Sequence, residues 1–212
     1  MSRKKGPRSR IRIHRGTLGG RFLHFYDEPD MRPTLARVRE AVCSMIADDA
    51  ESHGFLDLCS GSGAMAFEAF SMGFSPVYAV DVQDAVVENL QRETEALDAK
   101  IKTVRSDAFR FIRRGCEPGK YVIYGDPPYA AAGKFHPKML RYLSEATWPE
   151  TGSYYLAEQE KDAFPEAPEH LTLEKVKKYG RVFIGIYRVE RAGRGDQDGQ
   201  TDQNDQAGDT EA

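Results

Sequence analysis

The stretch FLDLCSGSGAMAFEAF, residues 55–70, predicts the start of an alternating α/β fold. Residues 55–59 form a short, largely apolar run typical of a buried strand, and Gly61 and Gly63 allow a tight turn after it. The residues after Gly63 favour a helix to about Phe70. A strand, a glycine turn and a helix in this order begin a βαβ unit, which joins parallel strands.

Strands and helices alternate along the rest of the chain. Strands are predicted at residues 77–80, 101–104, 121–124, 154–157, 171–174 and 182–187, and helices at 84–96, 107–115 and 136–145. A tight turn at Tyr179 and Gly180 separates the last two strands and favours antiparallel pairing. The pattern predicts an α/β fold with a doubly wound, seven-stranded, mostly parallel sheet and an antiparallel last strand, with ligands at the carboxyl ends of the strands.

The two ends of the chain differ in charge. Residues 1–40 carry eleven Lys and Arg against four Asp and Glu, although the whole chain has a net charge of -3. We predict a basic flexible arm at 1–10, a single domain at 11–192 that starts with a hairpin at 11–31, and an acidic disordered tail at 193–212. The hairpin strands are expected at 11–13 and 22–25, and a helix capped by Thr34 at about 35–47. Such a basic N-terminus suits a polyanionic partner.

Cysteines and hydropathy indicate the compartment. Cys43, Cys59 and Cys116 are odd in number and form no C-x-x-C pair, which favours reduced thiols in a cytoplasmic protein. No apolar stretch reaches the ~20 residues of a membrane span, so no membrane association is expected. The five histidines lack metal-binding spacing; we predict no metal, and surface or packing roles for His14, His24, His53, His136 and His170.

Acidic residues follow four of the predicted strands. They are Asp57, with the turn Ser60-Gly61-Ser62-Gly63 after it, then Asp81, Asp107 and Asp126. Gly61 and Gly63 allow close approach of a ligand, and Asp81, twenty residues after Gly61, is placed for two ribose hydroxyls. Asp107 suits an adenine amine. We predict a nucleoside site that includes Ser60.

The tetrapeptide Asp126-Pro127-Pro128-Tyr129 predicts the second half of this site. Two prolines fix a rigid turn at the strand end. The carboxylate and the proline carbonyls can accept hydrogen bonds from an exocyclic amine, while the tyrosine can stack on the ring that bears it. Gly61, Gly63 and Ala66 also fit the G-x-G-x-x-A fingerprint of NAD-dependent oxidoreductases, but hydride transfer does not require this tetrapeptide.

Five motifs, taken in order, resemble the RsmD-type family of guanine-N2 methyltransferases of 16S ribosomal RNA. They are RPTLARVRE, LDLCSGSGAMAFEAFSMG, AVDVQDAVVENL, GDPPY and KKYGRVFIGIYR, within residues 11–188. The resemblance implies that Asp57, Gly61, Gly63, Asp81 and Asp107 hold S-adenosyl-L-methionine. It also implies that Arg32 and Thr34 border the pocket and that Asp126, Pro127, Pro128 and Tyr129 hold the target base.

The resemblance also implies a ribosomal RNA partner, either free or within the assembled small subunit. We expect a monomer whose hairpin contacts RNA phosphates through Arg10, Arg12, Arg15 and Arg21. Family members usually have Ala at the place of Ser60, often Glu at Asp81 and an apolar residue at Gly125, where glycine adds backbone freedom. Alternatives are methylation of adenine N6 or of a protein glutamine, and a non-catalytic RNA-binding module on the same fold.

Overall fold

The computed structural model describes residues 8–26 and 36–191. Strands β1 (Arg8–Arg12) and β2 (Phe22–Tyr26) pair in antiparallel register, with Arg8 opposite Tyr26 and Arg12 opposite Phe22. The predicted hairpin is therefore present, but β1 begins at Arg8, so residues 8–10 belong to the hairpin and not to a flexible arm. The predicted site residues Arg32 and Thr34 lie outside the described residues.

A seven-stranded sheet forms the centre of the domain. Its strands are β3 (Gly54–Asp57), β4 (Val77–Asp81), β5 (Ile101–Arg105), β6 (Tyr121–Gly125), β7 (Tyr154–Gln159), β8 (Leu171–Tyr179) and β9 (Val182–Val189). The order across the sheet is β5-β4-β3-β6-β7-β9-β8. Strand β9 runs antiparallel to both of its neighbours, and β3 to β7 pair in parallel. The predicted sheet with its antiparallel last strand is confirmed.

Within residues 8–26 and 36–191, five α-helices connect and cover the strands. They are α1 (Ala36–Met45), α2 (Ala64–Met72), α3 (Asp84–Ala96), α4 (Ala108–Arg114) and α5 (Tyr129–Glu145), and a short 3-10 helix at Ala47–Asp49 follows α1. Helix α3 has the bounds that the sequence predicts. None of the described helices is long and apolar enough to cross a membrane.

The predicted start of α5 at residue 136 is wrong, because the helix begins directly after Pro128. Gly133 and Pro137 suggest a loop in the sequence, but the alanine run at 130–132 favours helix. Pro137 lies inside the helix and cannot donate to the carbonyl of Gly133. Both residues are exposed, so water can satisfy that carbonyl and the helix continues past the proline.

Alternate residues of the central strands pack into two separate cores. Val122 and Tyr124 of β6 face a core shared with α1, α2, α3 and the hairpin, whereas Tyr121 and Ile123 face a core shared with α4 and α5. This alternation follows from the period of two in a strand. The carboxyl edge of the parallel strands lies between the two helical layers, where ligands bind in open α/β sheets.

Candidate functional site

The glycine loop between β3 and α2 has the backbone that the sequence predicts. Gly61 and Gly63 have left-handed backbone angles, with φ of 48° and 82°. A side chain on Gly63 would overlap the Leu90 methyl group of α3, so packing also requires glycine here. The Ser60 hydroxyl donates to the Asp57 carbonyl at 3.0 Å, and the Ser60 carbonyl accepts from Gly63 N–H at 2.7 Å. Ser60 therefore stabilises the loop through hydrogen bonds of both its side chain and its backbone.

Asp57 ends β3 and is almost fully buried, with 2% of its surface exposed. Its carboxylate accepts hydrogen bonds from the backbone N–H groups of Cys59 and Ala66. Burial first, and then the negative charges of Asp126 and Asp81, raise the pKa of Asp57 to about 8. Asp57 thus fixes the loop to the start of α2, where helix N–H groups lack intrahelical partners.

Asp81 ends β4 and holds the other side of the glycine loop. Its Oδ2 atom accepts from Gly61 N–H at 3.0 Å, and its Oδ1 atom accepts from Gln83 N–H at 2.9 Å. Each carboxylate oxygen has a second lone pair, so the half-buried group can still accept from a pair of hydroxyls. Val82, next in the chain, is 63% exposed and offers an apolar surface beside that carboxylate. The sequence analysis missed Val82; an apolar residue directly after an acid at a strand end is the available signal.

Asp107 caps helix α4 at the end of the neighbouring strand. Its Oδ1 atom accepts from Arg110 N–H at 3.0 Å, and the residue is exposed. The cap occupies only one of the two oxygens. The other remains available to an amine, as the sequence predicts for an adenine.

The Cys59 thiol lies within electrostatic reach of all four strand-end aspartates. Burial, followed by the charges of Asp57, Asp81, Asp126 and Asp107, raises the pKa of this thiol well above its ordinary value. The structure therefore brings the four acids together around one residue. All three cysteines are free, and no group of three or more His, Cys, Asp or Glu side chains in the described ranges is arranged to hold a metal ion.

The Asp126 turn connects β6 directly to α5. Asp126 is half-buried, Pro127 is buried and Pro128 is exposed. The Pro128 carbonyl accepts from Ala131 N–H at 2.7 Å, so it is already used within the first turn of α5. The chain enters a helix immediately after the turn, so one lone pair of the Pro128 carbonyl already has a local donor.

Glu158 is a buried acid of the site that sequence reasoning missed. It lies in β7 with 1% of its surface exposed, and the Tyr124 hydroxyl donates to its Oε2 atom. Burial and then the negative charge of Asp126 raise the pKa of Glu158 to about 8. An acid directly after the apolar run Tyr154–Ala157 was the available signal, since a fully buried acid needs a partner.

His136 joins α5 to the same strand. Its Nε2 atom lies 3.0 Å from the Glu158 carbonyl oxygen and its Nδ1 atom 2.7 Å from the Tyr155 hydroxyl. A carbonyl only accepts, so Nε2 carries the proton and Nδ1 accepts from Tyr155. Burial lowers the pKa of His136 to about 4, which keeps the ring neutral. The prediction of a packing role for His136 leaves out this hydrogen-bonded connection.

Gly125 is required by the close approach of Tyr155. A Cβ atom on Gly125 would lie 2.9 Å from Tyr155 Cε2 and closer still to the tyrosine hydroxyl. Its φ is outside the left-handed region that favours glycine. The interpretation of Gly125 as a source of backbone freedom is therefore replaced by a steric one.

The predicted RNA-binding arginines of the hairpin are all exposed. Arg15 donates to the Ser44 hydroxyl at 2.6 Å, and the Arg10 guanidinium lies 4.5 Å from the centre of the Phe22 ring. Phe22 is itself 40% exposed. Arg12 and Arg21 lie on the same hairpin, which packs on the α1–α3 side of the sheet.

Comparisons with known proteins extend over most of the chain. The family described as Conserved hypothetical protein 95 matches residues 11–188. A ribosomal RNA small subunit methyltransferase D of Escherichia coli K12 is 28% identical over 190 residues, which are 89% of this chain and 94% of that protein. The solved structure of the E. coli protein yhhF is 27% identical with a TM-score of 0.74, over 86% of this chain and 99% of that chain.

A more distant structure supports the fold alone. An RNA methyltransferase of Salinibacter ruber, solved in complex with S-adenosyl-L-homocysteine, is 14% identical. It superimposes with a TM-score of 0.54 over 79% of this chain and 99% of that chain. Together with the yhhF structure, this match confirms the doubly wound fold that the sequence predicts.

Proposed function

Because the chain belongs to the Conserved hypothetical protein 95 family, we propose that it is an S-adenosyl-L-methionine-dependent methyltransferase acting on ribosomal RNA. The acceptor is the exocyclic N2 amine of a guanine in the small-subunit RNA. The observation that carries the proposal is that Asp81, Asp57 and Asp126 lie at the carboxyl ends of three neighbouring parallel strands, β4, β3 and β6, and therefore at one edge of the sheet. In a direct methyl transfer, the cofactor site and the site of the acceptor base must lie next to each other.

The residues of the β3–β4 side fit S-adenosyl-L-methionine. Asp81 accepts from the ribose hydroxyls, Val82 covers one face of the adenine, and Asp107 accepts from the adenine amine. Gly61 and Gly63 leave room beside the α2 N-terminus for the amino acid part. When bound, the cofactor supplies an electrophilic methyl group on a positively charged sulfur. A pocket surrounded by carboxylates favours such a cationic ligand.

The residues of the β6–β7 side hold the guanine. The amine lone pair is delocalised into the ring, so its orientation limits the reaction. Asp126 and the Pro127 carbonyl accept the N–H bonds and turn the lone pair toward the methyl group, and alignment of this kind can lower a barrier by several kcal/mol, up to about 7–11 kcal/mol in the best intramolecular cases. Asp126 is half-exposed, so the amine proton released after transfer passes to it or to solvent. Tyr129 stacks on the base, and its replacement by Ala should weaken the acceptor step by ~1–3 kcal/mol.

Ribosomal RNA is also the partner that the hairpin suits. Arg10, Arg12, Arg15 and Arg21 contact phosphates and carry no sequence information. The protein acts as a monomer in the cytoplasm with its thiols reduced, and its substrate is small-subunit RNA, either free or assembled into the subunit. The relatives' names and the exposed arginines of the hairpin support the ribosomal RNA partner.

Mapping of methylated guanines tests the proposal. Small-subunit ribosomal RNA from cells with and without this protein should differ at one N2-methylguanine. The purified protein should restore that methyl group when given S-adenosyl-L-methionine and RNA or subunits from the deficient cells. Methyl transfer to adenine or to a protein glutamine instead, or RNA binding without turnover, would overturn the guanine assignment or the enzymatic role respectively.

A further inference from the structure

We propose that helices α4 and α5 form a second RNA-binding surface, which holds the phosphate backbone of the substrate beside the site. We name it the α4–α5 basic surface. It consists of six exposed cationic residues: Arg110, Arg113, Arg114, Lys134, Lys138 and Arg141. The identity of the nucleic acid rests on the proposed function, whereas the surface itself rests on the observations below.

The spacing of these residues aligns them along two adjacent helices. Lys134, Lys138 and Arg141 follow one another at four and three residues, and therefore share one face of α5. Arg110 shares a face of α4 with the two arginines three and four positions later. At a rise of about 1.5 Å per residue, the cations of α5 span about 10 Å, and α4 lies directly beside them.

The charge of this surface is not balanced by acids on the same helices. Helices α4 and α5 contain six Lys or Arg residues and one acid, Glu145, at the end of α5. Helix α3, on the other side of the sheet, has four acids and one Arg. Within residues 8–26 and 36–191, none of the six cations forms an ion pair with a carboxylate. Their charge therefore remains available to an external anion.

Aromatic rings between the helices hold several of the cations in place. Lys138 Nζ lies 4.1 Å from the centre of the Phe109 ring. The guanidinium groups of Arg113 and Arg141 lie 5.7 Å and 5.2 Å from the centre of the Tyr142 ring. Each contact restricts a long side chain before a ligand arrives, which reduces the entropy lost on binding. The surface is thus already organised.

The position of the two helices relates this surface to the site. Helix α4 begins after Asp107 and α5 after Pro128, so both begin at the carboxyl edge of the sheet. The strand-end acids would repel the phosphates that flank a target nucleotide. Arg110 and Lys134 lie within about two turns of these helix starts and offset that repulsion, and the other four cations continue the positive charge along the two helices away from the edge. The hairpin packs on the other face of the sheet, so the two basic surfaces flank the sheet from opposite sides.

A charge-removal variant tests the surface in the full-length protein. The triple variant Arg113→Gln, Lys138→Gln, Arg141→Gln removes three cations, and the control Lys100→Gln, Lys120→Gln, Lys175→Gln removes three exposed cations elsewhere. The probe is the small-subunit ribosomal RNA, titrated from about 50 to 200 mM salt, a range in which several phosphate contacts change affinity strongly. Calorimetry with S-adenosyl-L-methionine is run on each variant.

The test variant should bind RNA about tenfold or more weakly than wild type, and the slope of log K against log salt should fall by about 2, near 0.7 per lost contact on single strands. Cofactor affinity should not change, and Arg113→Lys with Arg141→Lys should keep the wild-type slope. An unchanged slope in the test variant, or an equal loss in the control, overturns the surface. Because the titration needs no turnover, a wild type that binds RNA but methylates no guanine overturns the proposed function instead.

Discussion

The two sides of the candidate site hold their acids in different ways. On the β3–β4 side, backbone N–H groups hold the carboxylates: Asp57 accepts from Cys59 and Ala66, and Asp81 accepts from Gly61 and Gln83. Three of these four hydrogen bonds involve the glycine loop or the start of α2, and the fourth lies in the turn after β4. The hydrogen-bond donors are backbone N–H groups, so their positions depend on the path of the chain and little on side-chain identity.

On the β6–β7 side, side chains from neighbouring elements surround the buried acid Glu158 and its strand. Tyr124 of β6 donates to Glu158 of β7, and His136 of α5 bonds to both Tyr155 and the Glu158 carbonyl. The turn that bears Asp126 lies between these elements. The β3–β4 acids therefore depend on the path of the backbone, whereas the buried acid of the β6–β7 side depends on the identity of a neighbouring side chain.

The largest expected effect comes from replacing Asp126, which should slow methyl transfer and leave cofactor binding nearly unchanged. Asp126→Ala should lower the rate of methyl transfer by about 10³-fold or more, because the amine loses its orienting acceptor. Affinity for S-adenosyl-L-methionine should stay within a few-fold of wild type. Single-turnover kinetics and calorimetry measure the two quantities, and Asp162→Ala, an exposed acid after β7, is the control. Retained turnover would remove Asp126 from the reaction.

The converse change concerns Asp81. Asp81→Ala should weaken cofactor binding by about 10- to 100-fold, the cost expected for hydrogen bonds to a charged acceptor. The rate at saturating cofactor should fall much less, since the β6–β7 side is untouched. Asp81→Glu, which restores the carboxylate one methylene further out, should recover most of the affinity. A variant that binds normally by calorimetry would show that the backbone-held side does not contact the ribose.

The backbone-held side is also the side that the sequence predicts well. Asp57 and the glycine turn lie close together in the chain, and their hydrogen bonds follow from strand, turn and helix geometry. Asp81 is 20 residues from Gly61, but both lie at the strand ends of one βαβ unit, a motif that the sequence pattern predicts. The same is true of the fold, where helix α3 has its predicted bounds. Local periodicity and turn chemistry determine such features.

The Asp126 turn is predicted from the sequence, but the side-chain contacts of the β6–β7 side could not be predicted in this way. Tyr124 and Glu158 are 34 residues apart, and Tyr155 and His136 are 19 apart, so only the folded sheet brings them together. A single histidine or an acid in an apolar strand carries no local sign of its partner. Gly125 was misinterpreted for the same reason, since the ring that excludes its side chain comes from the neighbouring strand.

Gly125 gives a stability test of the side-chain network. Gly125→Ala places a Cβ atom against Tyr155 and should lower the free energy of unfolding by about 1–3 kcal/mol, the usual cost of overpacking. The control is Gly133→Ala in α5, where a Cβ atom meets nothing within 4 Å and should stabilise by about 0.5–1 kcal/mol. Urea unfolding measures both. In a Tyr155→Phe background the Gly125→Ala loss should shrink, and an unchanged loss would mean that the hydroxyl is not the obstacle.

The last expected effect is a pH dependence of stability to which Glu158 of the β6–β7 side contributes. Its pKa is about 8 in the folded protein against 4.5 for an unperturbed glutamate, so between these values the folded state binds one proton more than the unfolded state. The free energy of unfolding therefore falls as pH rises through this window, by at most about 1.4 kcal/mol per pH unit. Asp57 contributes with the same sign.

Glu158→Gln removes this contribution and leaves that of Asp57. Urea unfolding at pH 5, 6, 7 and 8 should show a shallower decline for the variant than for wild type, whereas Glu160→Gln, an exposed neighbour, should keep the wild-type decline. If the free energy of unfolding of the variant falls with pH as steeply as that of wild type, the extra proton is held by Asp57 on the β3–β4 side alone. The acid bonded to Tyr124 would then be ionised in the folded protein, and its negative charge would stand beside Asp126 during transfer.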